Sequence, residues 1–233
     1  MLFKMINTLR SAMHCWFFNM TNKVRTLTLS DVEFDSQSGE IVTYTSGYKN
    51  IIIPERLGGS PVNAIGSKAF CSKKITLLVM PDTLTTIGES AFSFNHLTTV
   101  IFPKSVCSIG EFAFSNNGLT SISLPQGLTK IYGAAFAMNE LPQVEIPNSV
   151  EHIGDFAFEG NLLKTLTLPN SVTFIDEGAF ADNALESVVM SESVTHIGNG
   201  AFVCNQIVNV AVPQSIVSLD EYAFDAGVKV SVG

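Results

Sequence analysis

Apolar residues along most of this chain recur on a beat of 22 positions rather than on the 3.6 of a helix or the 2 of a long strand. One unit, LTSISLPQGLTKIYGAAFAMNE, runs from Leu119 to Glu140 and defines the slots used below. Slots one, four and six (Leu119, Ile122, Leu124) are apolar and end in alternation, which predicts a short strand buried on one face. Proline in slot seven has no amide proton to donate and ends that strand. Slots ten, thirteen and eighteen (Leu128, Ile131, Phe136) are apolar again and point inward from the return path.

Three phased series carry the beat. Ala-Phe occurs eight times from Ala69-Phe70 to Ala223-Phe224, always 22 apart. Proline marks slot seven at Pro81, Pro103, Pro125, Pro147, Pro169 and Pro213, with Ser191 interrupting. Asparagine marks slot twenty-one at Asn95, Asn117, Asn139, Asn161, Asn183 and Asn205. Units begin at Ile75, Leu97, Leu119, Leu141, Leu163, Leu185 and Ile207. An earlier one begins at Tyr48 and carries five extra residues around Gly58–Pro61. No 22-residue coil can bury so many apolar groups alone, so the units must stack at about 4.8 Å and share one core. Inside such a coil an asparagine can satisfy backbone groups that a tight bend leaves unpaired, which makes its row structural.

The pattern in LTTVIFPKSVCSIGEFAFSNN (Leu97–Asn117) and the opening YKNIIIPERLGGSPVNAIGSKAF resemble the BspA-like leucine-rich repeats of bacterial surface proteins. The resemblance covers residues 48–228. It implies an α/β repeat solenoid: a right-handed stack of eight coils, a parallel β-sheet on the concave face, and irregular or short helical turns on the convex side. The expected organisation is an N-terminal amphipathic helix or weak signal segment over 1–23, a cap hairpin over 24–47 (VEFDSQSGEIVTYT within it) and the solenoid over 48–233. Family membership implies adhesion to host matrix proteins or to other cells, from the bacterial surface or in secreted form.

Departures from the pattern carry their own expectations. Slot fourteen is Gly in five coils but Tyr132, Asp176 and Asp220 in the others, which raises the question of a positive φ there. Lys229 falls where a core Leu is due, so the last coil should fray or cap.

Composition narrows function. Hydrophobic residues make up 46% and charged residues 15%, too apolar for disorder. Seventeen Phe against one Trp and four Tyr fit one slot filled many times. Residues 75–233 hold four Lys, no Arg and sixteen Asp/Glu. Such a body is a poor phosphate reader, so no nucleic-acid partner is expected. Cys15, Cys71, Cys107 and Cys204 lack CxxC or Cys/His spacing, so no zinc or other cofactor is expected and the thiols should be free.

Residues 1–20, MLFKMINTLRSAMHCWFFNM, leave three readings open: a weak secretory signal, a capping helix with Leu2, Ile6, Leu9, Met13, Trp16 and Met20 on one face, or a segment absent if translation starts at Met20. Membrane contact through this segment stays open, and the compartment is cytoplasmic if it is no signal.

Chemistry finds little support. Slot fifteen stacks Glu89, Glu111, Asp155, Glu177 and Glu221, an arrangement that could hold calcium or serve acid–base cleavage of polysaccharides. A carboxylate opening a short helical turn explains the same row. His152 and His196 share slot twelve two coils apart, with Phe174 between. No catalytic residue is assigned.

The strand's outward slots, three and five, remain as the expected partner face: Thr99, Ile101, Ser121, Ser123, Gln143, Glu145, Thr165, Thr167, Ser187 and Val189. The expected function is a non-enzymatic protein-binding solenoid for adhesion, with an intracellular scaffold as the alternative and a carbohydrate-active enzyme as a remote one.

Overall fold

The computed structural model describes residues 24–233. The expectations placed on residues 1–23 lie outside them. Each coil lays one side chain ladder against the next. Slots three to five form a long-strand face, as in Leu77–Val79, Thr99–Ile101, Ser121–Ser123 and Thr165–Thr167. Slots twelve and thirteen form a second, short-strand face, as in Thr86–Ile87, His152–Ile153 and Phe174–Ile175. Both are parallel, and register pairs residues 22 apart, Thr99 with Ser121 and His152 with Phe174.

The third side carries Ala-Phe. No helix is found among the described residues, which corrects the expected helical turns on the convex side. The reason lies in the amides. Those of Ala134, Phe136 and Met138 donate to carbonyls of the next coil (Asp155, Ala157, Glu159), while those of Ala135 and Ala137 close tight turns onto Tyr132 and Ala134. A helix would spend every amide within its own segment. It is also about 10 Å wide, twice the stacking repeat, so helices on successive coils would splay the stack. The carboxylates of slot fifteen therefore open a turn, not a helix.

Exporting alternate amides forces a sharp bend twice per coil. Left-handed φ falls at slot sixteen (Lys68, Ser90, Phe112, Ala134, Phe156, Gly178, Gly200) and slot twenty (Ser72, Phe94, Asn116, Met138, Gly160, Asp182, Cys204). Slot fourteen is not left-handed, which corrects the reason for its glycines. There the constraint is space. A Cβ on Gly88 would lie 2.7 Å from the Ser67 amide nitrogen, and one on Gly110 2.7 Å from that of Glu89, both in the preceding coil.

Tyr132 shows what happens without that glycine. Slot-fourteen amides donate to the preceding coil's slot thirteen at Gly88, Gly110, Gly154, Asp176, Gly198 and Asp220, and the series skips Tyr132. The short-strand face accordingly splits into two five-stranded sheets between Ser108–Ile109 and Lys130–Ile131. Aspartate at this slot keeps its pairing, as Phe174–Ile175 does with His152–Ile153. A bulky aromatic does not.

The core is one continuous cluster. Its spine is a column of stacked rings: Tyr44, Phe70, Phe92, Phe114, Phe136, Phe158, Phe180, Phe202 and Phe224. Each fully buried Phe contributes about 1.5–3 kcal/mol. Centroids are 5.0 Å apart at the N-terminal steps and widest, 5.9 Å, between Phe114 and Phe136, across the Tyr132 split. Phe102 inserts edge-on there, 5.2 Å from Phe114 and 6.2 Å from Phe136.

The column makes about nine turns, not the eight expected. The additional turn precedes Tyr48. Arg25–Thr26 pairs parallel with Ile51 and Ile52, and Val32–Asp35 forms an antiparallel hairpin with Glu40–Tyr44. The second strand of that hairpin joins the short-strand face through Glu40 and Ile41. Asp31 anchors the turn, accepting from the Thr28 amide and hydroxyl, Ser46 and Arg25. The extra residues of the Tyr48 coil form a small antiparallel hairpin, Arg56–Leu57 with Ser60–Pro61, turned by Gly58 and Gly59 at positive φ.

At the other end Lys229 pairs with Asn209, 20 residues back rather than 22. The last coil is two residues short, so Lys229 occupies an exposed outward slot and not the core position assigned to it by periodicity.

The asparagine row is structural, as expected. In Asn139, Oδ1 accepts the Leu119 amide at 3.1 Å, and Nδ2 donates to the carbonyls of Phe114, Phe136 and Ala137. One side chain thus closes its own coil and ties it to the previous one. Asn95, Asn117, Asn161, Asn183 and Asn205 accept from their own slot-one amide in the same way.

Candidate functional site

The long-strand face follows from the alternation that builds it. Val100, Leu166 and Val210 turn inward and are buried, so slots three and five turn outward. Thr99, Ser121, Ser123, Gln143, Glu145, Thr165, Thr167, Ser187 and Val189 are exposed, and Ile101 is half-buried. Thr99 and Ser121 hydroxyls lie 3.4 Å apart across neighbouring coils. The row is dominated by small hydroxyls, with Glu145 its one charge and Lys164 and Glu186 exposed beside it.

The face is not one uninterrupted sheet. Gln143 and Glu145 lie in a segment without strand pairing, between Ser121–Ser123 and Thr165–Thr167. Pro142 accounts for it. In neighbouring coils the slot-two amide donates to the previous slot-two carbonyl, Thr120 to Thr98 and Glu186 to Lys164. Proline has no such proton. The ten outward residues thus lie on one side of the solenoid, in two paired blocks with an irregular coil between.

The other candidate groups are placed as follows. Glu89, Glu111, Asp155, Glu177 and Glu221 are exposed, and the Asp155 carboxylate accepts the Glu177 amide. Among the described residues no group of three or more His, Cys, Asp and Glu could hold a metal. Cys71, Cys107 and Cys204 are free thiols, and the two carboxylates near Cys204, Asp182 first and Asp225 after, push its thiol pKa up. A raised pKa makes a poor nucleophile at neutral pH. His152, Phe174 and His196 stack in a row, with Phe174 centroids 5.6 Å and 4.4 Å from the two imidazoles. His152 Nε2 also pairs with Asp176 of the next coil, a contact that spacing alone did not suggest.

A second feature escaped the sequence reading altogether. Phe94, Met138 and Leu162 stand exposed along the edge formed by slots twenty to twenty-two. Phe94 and Met138 line a shallow groove together with His96, Asn116, Gly118 and Glu140. The signal was present in slot twenty, where Phe94 and Met138 alternate with Asn116 and Gly160.

Short parallel strands stacked on two faces, a column of aromatic rings and an asparagine row that closes each coil define a leucine-rich-repeat β-solenoid. The chain belongs to the BspA-type leucine-rich repeat region family, whose model matches residues 63–183 and 130–231 in six copies. Among solved structures it is similar to a leucine-rich repeat protein from Bacteroides ovatus, at 26% identity with a TM-score of 0.60 over 79% of this chain. This chain spans only 58% of that protein's length. It also shares its fold with the leucine-rich repeat protein of T. pallidum, at 22% identity and TM-score 0.50, covering 88% of this chain and 92% of that one. No curated protein matches the chain in sequence.

Proposed function

We propose that this chain is a non-enzymatic protein-binding solenoid of the bacterial adhesion or cell-interaction kind, docking its partner on the long-strand face. One observation carries the reading: slots three and five of this face are exposed save for the half-buried Ile101 and rich in hydroxyls (Thr99, Ser121, Ser123, Thr165, Thr167, Ser187), while slot four packs on the core, buried at Val100 and Leu166 and partly buried at Ile122, Val144 and Val188. A partner laid across this face meets Thr99, Ser121, Ser123, Thr165, Thr167 and Ser187 as repeated two-residue contacts on a rigid support. Such contacts distribute the binding energy, so no single residue dominates.

The test is a charged stripe. Ser121→Lys, Gln143→Lys and Thr165→Lys together place three like charges about 5 Å apart at each step without touching an inward slot. Circular dichroism should report an intact fold, while binding to an immobilised host matrix protein should fall. The matched control puts Lys at Gln126, Asn148 and Asn170, exposed slot-eight positions off this face. Loss of binding in the control alone moves the site off the long-strand face. Fractionation that finds the chain inside the cell favours the scaffold reading instead.

A further inference from the structure

Beyond that face, the asparagine row is interrupted in the coil that begins at Tyr48, where slot twenty-one holds Lys73. Lysine has no acceptor to offer the Tyr48 amide, so this coil forgoes the closure that asparagine gives the six coils after it. Fraying at an end does not explain the loss, because the turn of Tyr44 packs before this coil, ring on ring with Phe70. Lys74 adds a second cost. Its φ is 59°, and among the described residues it is the one slot-twenty-two position in the left-handed region, which long side chains rarely enter. A corner that forgoes closure and takes on strain to set two lysines side by side points to function rather than folding.

Lys49, in slot two, completes the corner. Its carbonyl accepts the Thr76 amide at 2.8 Å, two residues on from Lys74. The Lys49 and Lys74 backbones are therefore no more than about 12 Å apart, and both side chains reach one ligand. Lys73 is half-buried, and Lys49 and Lys74 are exposed. None of the three pairs with a carboxylate among the described residues. From residue 48 to 118, slots twenty to twenty-two and one and two hold no Asp or Glu. The corner is thus a small positive island on an acidic rod.

Its surroundings limit what that charge can meet. Glu33, Asp35 and Glu55 stand exposed at the same end of the solenoid, and Glu140 is exposed on the same edge three coils on. A planar anionic membrane would press on those carboxylates. A nucleic-acid duplex, rigid and charged along its whole length, would run onto them. A thin, flexible chain can cross the corner alone. The lysines narrow the choice further. Ammonium groups are compact point charges without the fork that grips a carboxylate or phosphate, so they select density of charge more than direction. A polysaccharide bearing sulfo groups has that density.

We propose that the corner of Lys49, Lys73 and Lys74 is a binding site for a sulfated polysaccharide, with its sulfo groups against the three ammonium groups. The site is separate from the long-strand face.

A heparin oligosaccharide titrated into the full chain should bind, as followed by calorimetry. The logarithm of its affinity should fall with the logarithm of salt concentration at a slope of roughly −2, about 0.7 for each of three lysines as for a single-stranded polyanion. Lys73→Asn separates the site from mere structure, because two readouts should move in opposite directions. It should restore the slot-twenty-one closure and raise the midpoint of a urea melt, while affinity falls severalfold and the salt slope shrinks by about 0.7. Lys74→Gly relieves the left-handed position and should act in the same two directions. Lys229→Gln, at the other end of the solenoid, should leave both readouts unchanged. Affinity unmoved by Lys73→Asn with Lys74→Gly overturns the site. A lower urea midpoint in Lys73→Asn overturns the claim that closure is forgone for charge. Equal affinity for the desulfated oligosaccharide overturns the sulfo group as the ligand, and tighter binding of a DNA duplex of equal charge overturns the polysaccharide. None of these outcomes bears on protein binding at the long-strand face.

Discussion

Asn139→Asp replaces one buried side chain by its isostere and tests the coil-closing role of the asparagine row. In the parent, Nδ2 donates to the carbonyls of Phe114 and Phe136 at 3.0 Å and of Ala137 at 3.1 Å, and Oδ1 accepts from Leu119. The carboxylate keeps the acceptor and loses both protons, leaving an anionic oxygen facing three carbonyl oxygens at a buried position. Two lost donors at about 1 kcal/mol each, with desolvation of a partly compensated charge, give about 3–4 kcal/mol at neutral pH. Protonation restores one donor and removes the charge, so in acid the loss should shrink to about 1–2 kcal/mol. The sign follows from linkage: an acid whose folded pKa is raised above its unfolded value of about 3.9 binds more protons when folded. Its penalty is therefore complete above the folded pKa and fades as pH falls toward 3.9. Urea melts of variant and parent, paired at pH 7.5 and pH 4.5, measure the difference. Asn116→Asp is the control, exposed and in a left-handed position that Asp tolerates, and should stay within about 0.5 kcal/mol of the parent. Equal losses for Asn139→Asp at both pH values would refute the reasoning, because the carbonyl cluster would then not be sensing the charge.

Three further outcomes are expected. Phe136→Ala should cost about 3–5 kcal/mol in denaturant melts, since its ring packs against Phe114, Phe158 and Phe102. Phe224→Ala, stacked on Phe202 alone, should cost well under half as much, and equal losses would contradict the shared column. Burial alone would raise the Asp31 carboxyl, but the Ser46 and Thr28 hydroxyls, the Thr28 amide and Arg25 outweigh it and hold it below the ordinary value. Asp31 therefore contributes stability above about pH 4 that is lost as pH falls through its lowered pKa, and Asp31→Asn should flatten the acid limb of the stability profile. Cys71, Cys107 and Cys204 should each take up one alkylating group without prior reduction, as read by intact mass.

The hydrophobic beat made the coils legible because every buried slot repeats in phase, and the asparagine row followed from its place beside the core. Two things were hidden from it. The turn through Ala-Phe reads as helical because Ala134–Ala137 is a run of good helix formers. Only the need of each coil to hand alternate amides to its neighbour, a property of the stack and not of the segment, rules the helix out. The first coil was obscured because Tyr44 replaces the usual Phe and no slot-seven proline follows Arg25–Thr26. At the candidate partner face, exposure of slots three and five was readable from alternation, whereas the break at Gln143 required seeing what the missing Pro142 proton does to pairing. The edge groove left only one trace in the sequence, Phe94 and Met138 alternating with Asn116 and Gly160 in slot twenty, and no periodicity announces that such members are exposed.

Tyr132 also has a consequence for how the rod responds to load. In a stack where each coil touches only its neighbours, cooperativity is passed along by nearest-neighbour coupling. Between the coils of Ile109 and Ile131 that coupling lacks its short-strand pairing and has its rings farthest apart, while the long strands stay paired, Thr99 with Ser121. Tension along the axis is the same at every step, and extension is greatest where the fewest contacts resist it. Under axial load this step is held by the Thr99–Ser121 pairing and by Phe102, packed edge-on against both rings.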